Sequence, residues 1–145
     1  MNLSEHFTLE ELTFSQTATR KGINNVPSEA VVRNLKILAT NLERVRAVLL
    51  YPLHISSGYR SYELNKAVGG SNKSAHMDGY AADFTSPSFG TPEAIVRTLQ
   101  RHGIQCDQCI MEGTWVHISF APEMRNQFLT ATFTNGVASY SDYKE

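Results

Sequence analysis

Apolar side chains recur at Val31, Leu35, Leu38, Leu42, Val45 and Leu49, in steps of three and four, up to Tyr51-Pro52. That spacing lines one face of an α-helix and fits no strand. Pro27 and Ser28 open the segment, with Ser28 placed to cap it. Arg33, Lys36, Glu43, Arg44 and Arg46 flank the stripe. A partner-binding helix would share this pattern, but a helix laid on the chain's own sheet is its ordinary meaning. After Pro52 the period changes. Leu53 to Ser57, Gly79 to Phe84, Gln105 to Glu112 and Thr114 to Phe120 read as strands. Weaker strand patterns, Phe128 to Phe133 and Val137 to Tyr140, flank Asn135-Gly136. Helices come first and a mostly antiparallel sheet follows, so the expected class is α+β.

Shorter signals fill in the frame. Thr8-Leu-Glu-Glu11 is a capping box, with Phe7 and Leu12 placed to staple a short first helix. Ser61 can cap a helix from Tyr62 to Val68, stopped by Gly69-Gly70. Thr91-Pro92-Glu93 starts another, ending at His102-Gly103. Gly113-Thr114 can turn a tight hairpin. No repeat or linker divides the chain, and its 145 residues suit one domain, 1–145.

Composition excludes several function classes. Net charge is −1 and no basic run occurs, which argues against nucleic acid as a partner. No apolar stretch approaches the ~20 residues of a membrane span. The start, Met1-Asn-Leu-Ser-Glu-His6, lacks the basic region and apolar core of a signal peptide, so synthesis in the cytoplasm and no stable membrane association are expected. A monomer is expected. Hydrophobic residues make up 41%, enough for a core without disulfides. The only cysteines, Cys106 and Cys109, sit in a strand-like setting without a second ligand pair, and read as reduced, semi-buried thiols.

Two stretches carry chemistry. Residues 74–83 read Ser-Ala-His-Met-Asp-Gly-Tyr-Ala-Ala-Asp, and residues 115–119 read Trp-Val-His-Ile-Ser. They offer His76, Asp83 and His117. Two imidazoles and one carboxylate form a three-ligand set for catalytic zinc, with a fourth position left for water. Asp83 lies among Ala81, Ala82 and Phe84, where a carboxylate is costly unless paired or bound to a cation. If Gly113-Thr114 is the turn, Glu112 faces Trp115 and Ile110 faces His117 across the hairpin. Glu112, Trp115 and His117 then share one face.

Ser74-x-His76-x-x-Gly79-x-Ala81-x-Asp83 resembles the SxHxxGxAxD motif of the D-alanyl-D-alanine carboxypeptidase and L-alanyl-D-glutamate endopeptidase family of zinc peptidases. Every fixed position of the motif is present. Trp115-Val-His117-Ile-Ser resembles the family's second metal-binding strand. Ser56-Ser-Gly-Tyr-Arg60-Ser61 resembles the segment that carries its substrate arginine. Phe7-Thr-Leu-Glu-Glu-Leu12 is similar to the start of short bacterial and phage members. The resemblance implies the hedgehog/DD-peptidase fold, a small antiparallel sheet packed by helices. It implies zinc held by His76, Asp83 and His117, Arg60 on the substrate's carbonyl or carboxylate, and Ser74 as a hydrogen-bonding support; a loop-capping serine is the plainer reading of Ser74. Hydrolysis of a peptide bond in the peptidoglycan stem or cross-link follows, plausibly by a phage or prophage endolysin that reaches the wall through a holin or a virion.

One departure stands out. Many members place the catalytic acid three residues before the second histidine, and here that position is Thr114. Glu112 is the nearest carboxylate and is expected to be the general base, with Asp107 as the fallback. Asp78 is a weaker candidate, expected to face solvent. Two other readings stay open: a zinc-containing binding or structural module on the same fold, and a cytoplasmic dipeptidase acting on free D-Ala-D-Ala.

Overall fold

The computed structural model describes residues 1–145. Five α-helices and six strands follow one another. Helices α1 (Leu9–Thr13), α2 (Gln16–Lys21) and α3 (Glu29–Leu49) come first, then strand β1 (His54–Ser57) and helix α4 (Tyr62–Ala67). A 3₁₀ turn (Ala75–Asp78) leads into β2 (Ala81–Thr85), and α5 (Pro92–Arg101) follows. Strands β3 (Gln108–Met111), β4 (Val116–Ser119), β5 (Gln127–Thr134) and β6 (Val137–Asp142) complete the chain. This is the expected α+β architecture.

Local signals act as their chemistry requires. The Thr8 hydroxyl accepts from the Glu11 N–H at 3.0 Å, and the Thr8 N–H acts on the Glu11 carboxyl in return. Ser28, Ser61 and Thr91 each accept a bond from the N–H three residues on, so each cap satisfies an otherwise orphaned donor. Helix α2 has no counterpart among the sequence expectations. Its six residues are too few to show a period, and its one cue is Ser15, which caps Ala18. Strands β1 to β4 are shorter than the runs expected from sequence, while β5 and β6 extend beyond theirs. Gly79 and Tyr80 lie before β2 rather than in it, because Gly79, at φ 77°, ends the 3₁₀ turn. A side chain there would also crowd Val31 and Leu35 of α3.

The six strands form one sheet in the order β1-β2-β4-β3-β5-β6. All pairs are antiparallel except β3 with β5, which run parallel. One face of the sheet meets α3 and α5. Leu35, Leu38, Leu42 and Val45 pack there with Ile95 and Leu99, against Ala82, Phe84, Val116 and Ile118. Cys106 and Cys109 are fully buried in the same core, deeper than the semi-buried state expected. Burial pushes the Cys106 thiol up to about 12 and Cys109 well above its usual value, so both stay protonated and inert.

Alternation along a strand sends neighbours to opposite faces. With Ala82 and Phe84 in the core, Asp83 must point to the other face, and with Val116 and Ile118 in the core, so must His117. The register places Asp83 directly opposite His117. The helices thus decide, by burying the even-numbered residues, where the polar ones emerge.

Helix α1 closes the far end. Tyr59 donates its N–H to the Leu12 carbonyl at 2.7 Å, which brings Gly58 so close that a Cβ there would lie 2.3 Å from the Leu12 oxygen. Gly58→Ala should therefore lower stability by about 1–3 kcal/mol, the usual cost of overpacking. Urea unfolding followed by far-UV circular dichroism would read this, and an unchanged midpoint would show that α1 can move aside freely.

Candidate metal centre and cleft

His76 reaches the site from the 3₁₀ turn, which Ser74 caps by accepting the His76 N–H at 3.2 Å. Its imidazole is almost fully buried, and Nδ1 lies 2.7 Å from the Gly58 carbonyl oxygen. That oxygen can only accept, so Nδ1 carries the hydrogen and donates it. Burial pushes the His76 pKa down, against the pull of Asp83, and the ring is neutral. Its Nε2 therefore presents a lone pair. Asp83 Oδ1 lies 3.2 Å from that nitrogen, and the same oxygen lies 3.0 Å from His117 Nδ1. Burial alone would raise the Asp83 carboxyl, but the hydrogen bond with His117, the largest opposing influence, holds it well below the usual carboxylate range.

A lone pair facing a carboxylate oxygen at 3.2 Å is a repulsive contact unless a cation lies between them. The donor set fits one. His76 Nε2, Asp83 Oδ1 and His117 Nδ1 all lie within 4.8 Å of one another. Tetrahedral zinc with bonds of about 2.0–2.1 Å separates its ligand atoms by about 3.3 Å, close to the two separations seen. The Nδ1–H bond to a backbone carbonyl is also what orients a ligating histidine.

The centre lies in a cleft of about 890 Å³ on the sheet face away from α3 and α5. Arg60 enters from the segment after β1. Its Nη1 donates to Asn65 Oδ1 at 3.1 Å, while its buried Nε has no protein partner. Burial lowers the Arg60 pKa, countered by Asp83, so the guanidinium stays charged. Asn65 is buried in α4 and also donates to the Ser71 carbonyl, which ties the loop before His76 to the arginine. Neither Asn65 nor the Gly58 carbonyl was legible beforehand. A buried asparagine in a short helix is a faint cue, and a backbone carbonyl leaves none.

The two acid candidates differ in their surroundings. Glu112 and Trp115 close the β3–β4 hairpin, where the Glu112 N–H donates to the Trp115 carbonyl at 2.9 Å. Ile110 pairs with His117 as expected. The Glu112 carboxyl lines the cleft and is pushed up by burial, with His117 and Asp83 acting on it in opposite senses. Asp107 instead accepts Arg125 Nε and Nη2, both at 2.8 Å, and the Arg125 N–H at 3.0 Å. These bonds hold its carboxyl below the usual range against the opposing effect of burial. Asp78 is exposed at the cleft rim, and Thr114 is exposed in the hairpin turn.

A sequence model of the Peptidase M15 family matches residues 5–119. The chain belongs to that family, whose members are zinc-dependent metallopeptidases. The match takes in Arg60, the whole His-Asp-His group and Glu112. No curated protein matches the chain.

The Asp107–Arg125 pair has a pH signature. Its depressed carboxyl contributes stability that is full above the unfolded aspartate pKa of about 3.9 and is lost as pH falls toward the folded value. Asp107→Asn should cost about 1–2 kcal/mol at pH 7, discounted for the half-exposed arginine. The gap to the parent should shrink below about pH 4. Urea midpoints measured from pH 7 to pH 3 would test this, and a gap that stays constant would refute the assigned cause.

Proposed function

We propose that this protein is a zinc peptidase that hydrolyses a peptide bond in the peptidoglycan stem or cross-link. One observation carries the reading: His76 Nε2, Asp83 Oδ1 and His117 Nδ1 converge in a cleft that also holds a half-buried carboxylate without a salt bridge, Glu112. The M15 family acts on peptidoglycan peptides, which supports the substrate class.

His76, Asp83 and His117 would hold the zinc ion, which when bound supplies a water acidified toward pKa ~7 and a Lewis acid for the scissile carbonyl. Glu112 acts as general base. It accepts the proton of the attacking water as oxygen adds to the carbonyl carbon, then delivers it to the departing nitrogen as the C–N bond breaks. Burial favours this shuttle, because a raised pKa makes a carboxylate a stronger base and lets it hold the proton between steps. Asp107 suits the role less well, since both its oxygens are engaged by Arg125. Arg60 binds the substrate's carbonyl or carboxylate and, with its unpartnered Nε, shares charge developing on the carbonyl oxygen. Ser74 supports the centre by fixing the 3₁₀ turn that carries His76.

Thr114 stands where many zinc peptidases of this kind have their acid, and it favours a second reading: a zinc-holding binding module without turnover. Digestion of purified peptidoglycan with zinc-loaded protein, with and without chelator, separates the two. Mass spectrometry of the products identifies the bond. We expect new amines in the zinc-loaded digest alone; zinc and wall binding without amine release would establish the module instead. Glu112→Gln should keep its zinc by metal analysis yet lose about 10²–10⁴ in rate, and full activity in that variant would reassign the base. A role in phage or prophage lysis is the finer part of the proposal. Loss of turbidity in a suspension of bacterial cell walls tests it, and intact walls would remove that role.

A further inference from the structure

The cleft continues well beyond the metal centre. Across the sheet the register sets Ser57, Asp83, His117, Ile110, Leu129 and Asp142 in one row, from β1 to β6. The next row on the same face runs through Trp115 and Glu112 toward Ala131 and Tyr140, which pair across β5 and β6. Phe133, opposite Ala138, lies further along the hairpin, and all three of Phe133, Ala138 and Tyr140 line the cleft. Ala131 puts no bulk between Glu112 and Tyr140, and the phenol lies within electrostatic reach of the Glu112 carboxylate. The β5–β6 hairpin is therefore a wall of the same cleft. It lies outside the span that matches the family, which ends at residue 119.

The two ends of the cleft differ in chemistry. Arg60, Lys73 and Asp78 surround the metal end. The hairpin lines the cleft with Leu129, Phe133, Gly136, Ala138 and Tyr140, none of them charged, while the remaining charges of the lining, Asp107, Glu112, Glu123 and Arg125, come from outside it, and Asp142 pairs with Leu129 at the end of β6. Phe133 is 53% exposed and Tyr140 54% exposed, so two aromatic rings stand on this face with much of their surface uncovered. Strand spacing of about 4.8 Å puts β6 roughly 14 Å from His117 on β4. An extended peptide advances about 3.3–3.6 Å per residue, so a chain cut at the metal would lay its fourth residue on the hairpin.

We propose that the β5–β6 hairpin is a distal substrate subsite in which Tyr140 and Phe133 hold an uncharged, extended part of the peptide about four residues from the scissile bond. The enzyme then selects long stem peptides over free dipeptides. This rests on the peptidase reading above. It concerns the length of substrate, which the metal centre and Arg60 cannot measure because they touch only the reacting end.

Trp115, the single tryptophan, lines the cleft two residues from His117, so its fluorescence reports binding without turnover. The probes are a synthetic pentapeptide stem and the dipeptides L-Ala-D-Glu and D-Ala-D-Ala. The zinc-loaded full chain is titrated in a Glu112→Gln background, and kcat/KM is measured with Glu112 present. Tyr140→Ala and Phe133→Ser should each weaken pentapeptide binding about five- to tenfold, the size of one aromatic contact. Dipeptide binding should change less than about twofold. Equal losses for both lengths, or no loss for the pentapeptide, overturns the subsite. Should Tyr140→Ala lower the melting temperature sharply, Phe133→Ser gives the same comparison on folded protein. Length-dependent binding without turnover would sustain the subsite while refuting the peptidase reading, so the two fail separately.

Discussion

The pairing of Asp83 with His117 across β2 and β4 is the constraint on which the rest depends. Two side chains from distant parts of the sequence are set side by side by the register of the backbone ladder. A slip of one residue would send one of them into the core and break the site. The slip is forbidden by the apolar neighbours. Ala82 and Phe84 on one strand, Val116 and Ile118 on the other, are buried under α3 and α5. The hydrophobic packing of one face thus sets the metal chemistry of the other.

His76 completes the set by a different route. It sits on a 3₁₀ turn held by the Ser74 cap and by a hydrogen bond to the Gly58 carbonyl. Gly58 is fixed in turn by its close approach to α1. A chain of contacts therefore runs from the N-terminal helix to the ligand's ring orientation. Arg60, two residues beyond Gly58, is placed by the same segment and steadied by Asn65. The His-Asp-His group and the Arg60 guanidinium are thus positioned together on one side of the cleft.

The sequence was most readable where a repeating pattern or a cap works locally. Helix α3 was legible from its stripe, and the starts of α3, α4 and α5 from Ser28, Ser61 and Thr91. The hairpin pairing of Ile110 with His117 followed from a two-residue turn. Helix α2 escaped because six residues cannot display a period. The parallel pairing of β3 with β5 escaped because nothing local to either strand records its neighbour. The preference for Glu112 over Asp107 rested on closeness in sequence. The contrast between them is that Arg125 engages Asp107, and that contact spans 18 residues.

By itself the sequence determined the fold class, the family membership and the three residues, His76, Asp83 and His117, that could hold a metal. It could do so because residue type, spacing and helix or strand period are local properties. Only the tertiary structure decided that a neutral His76 aims a lone pair at Asp83, that one acid is tied up while another stays free, and that the β5–β6 hairpin walls the cleft. Each of these depends on which groups, far apart along the chain, share a small volume shielded from water. There, burial and a single hydrogen bond decide which groups are charged and which lone pairs are left free.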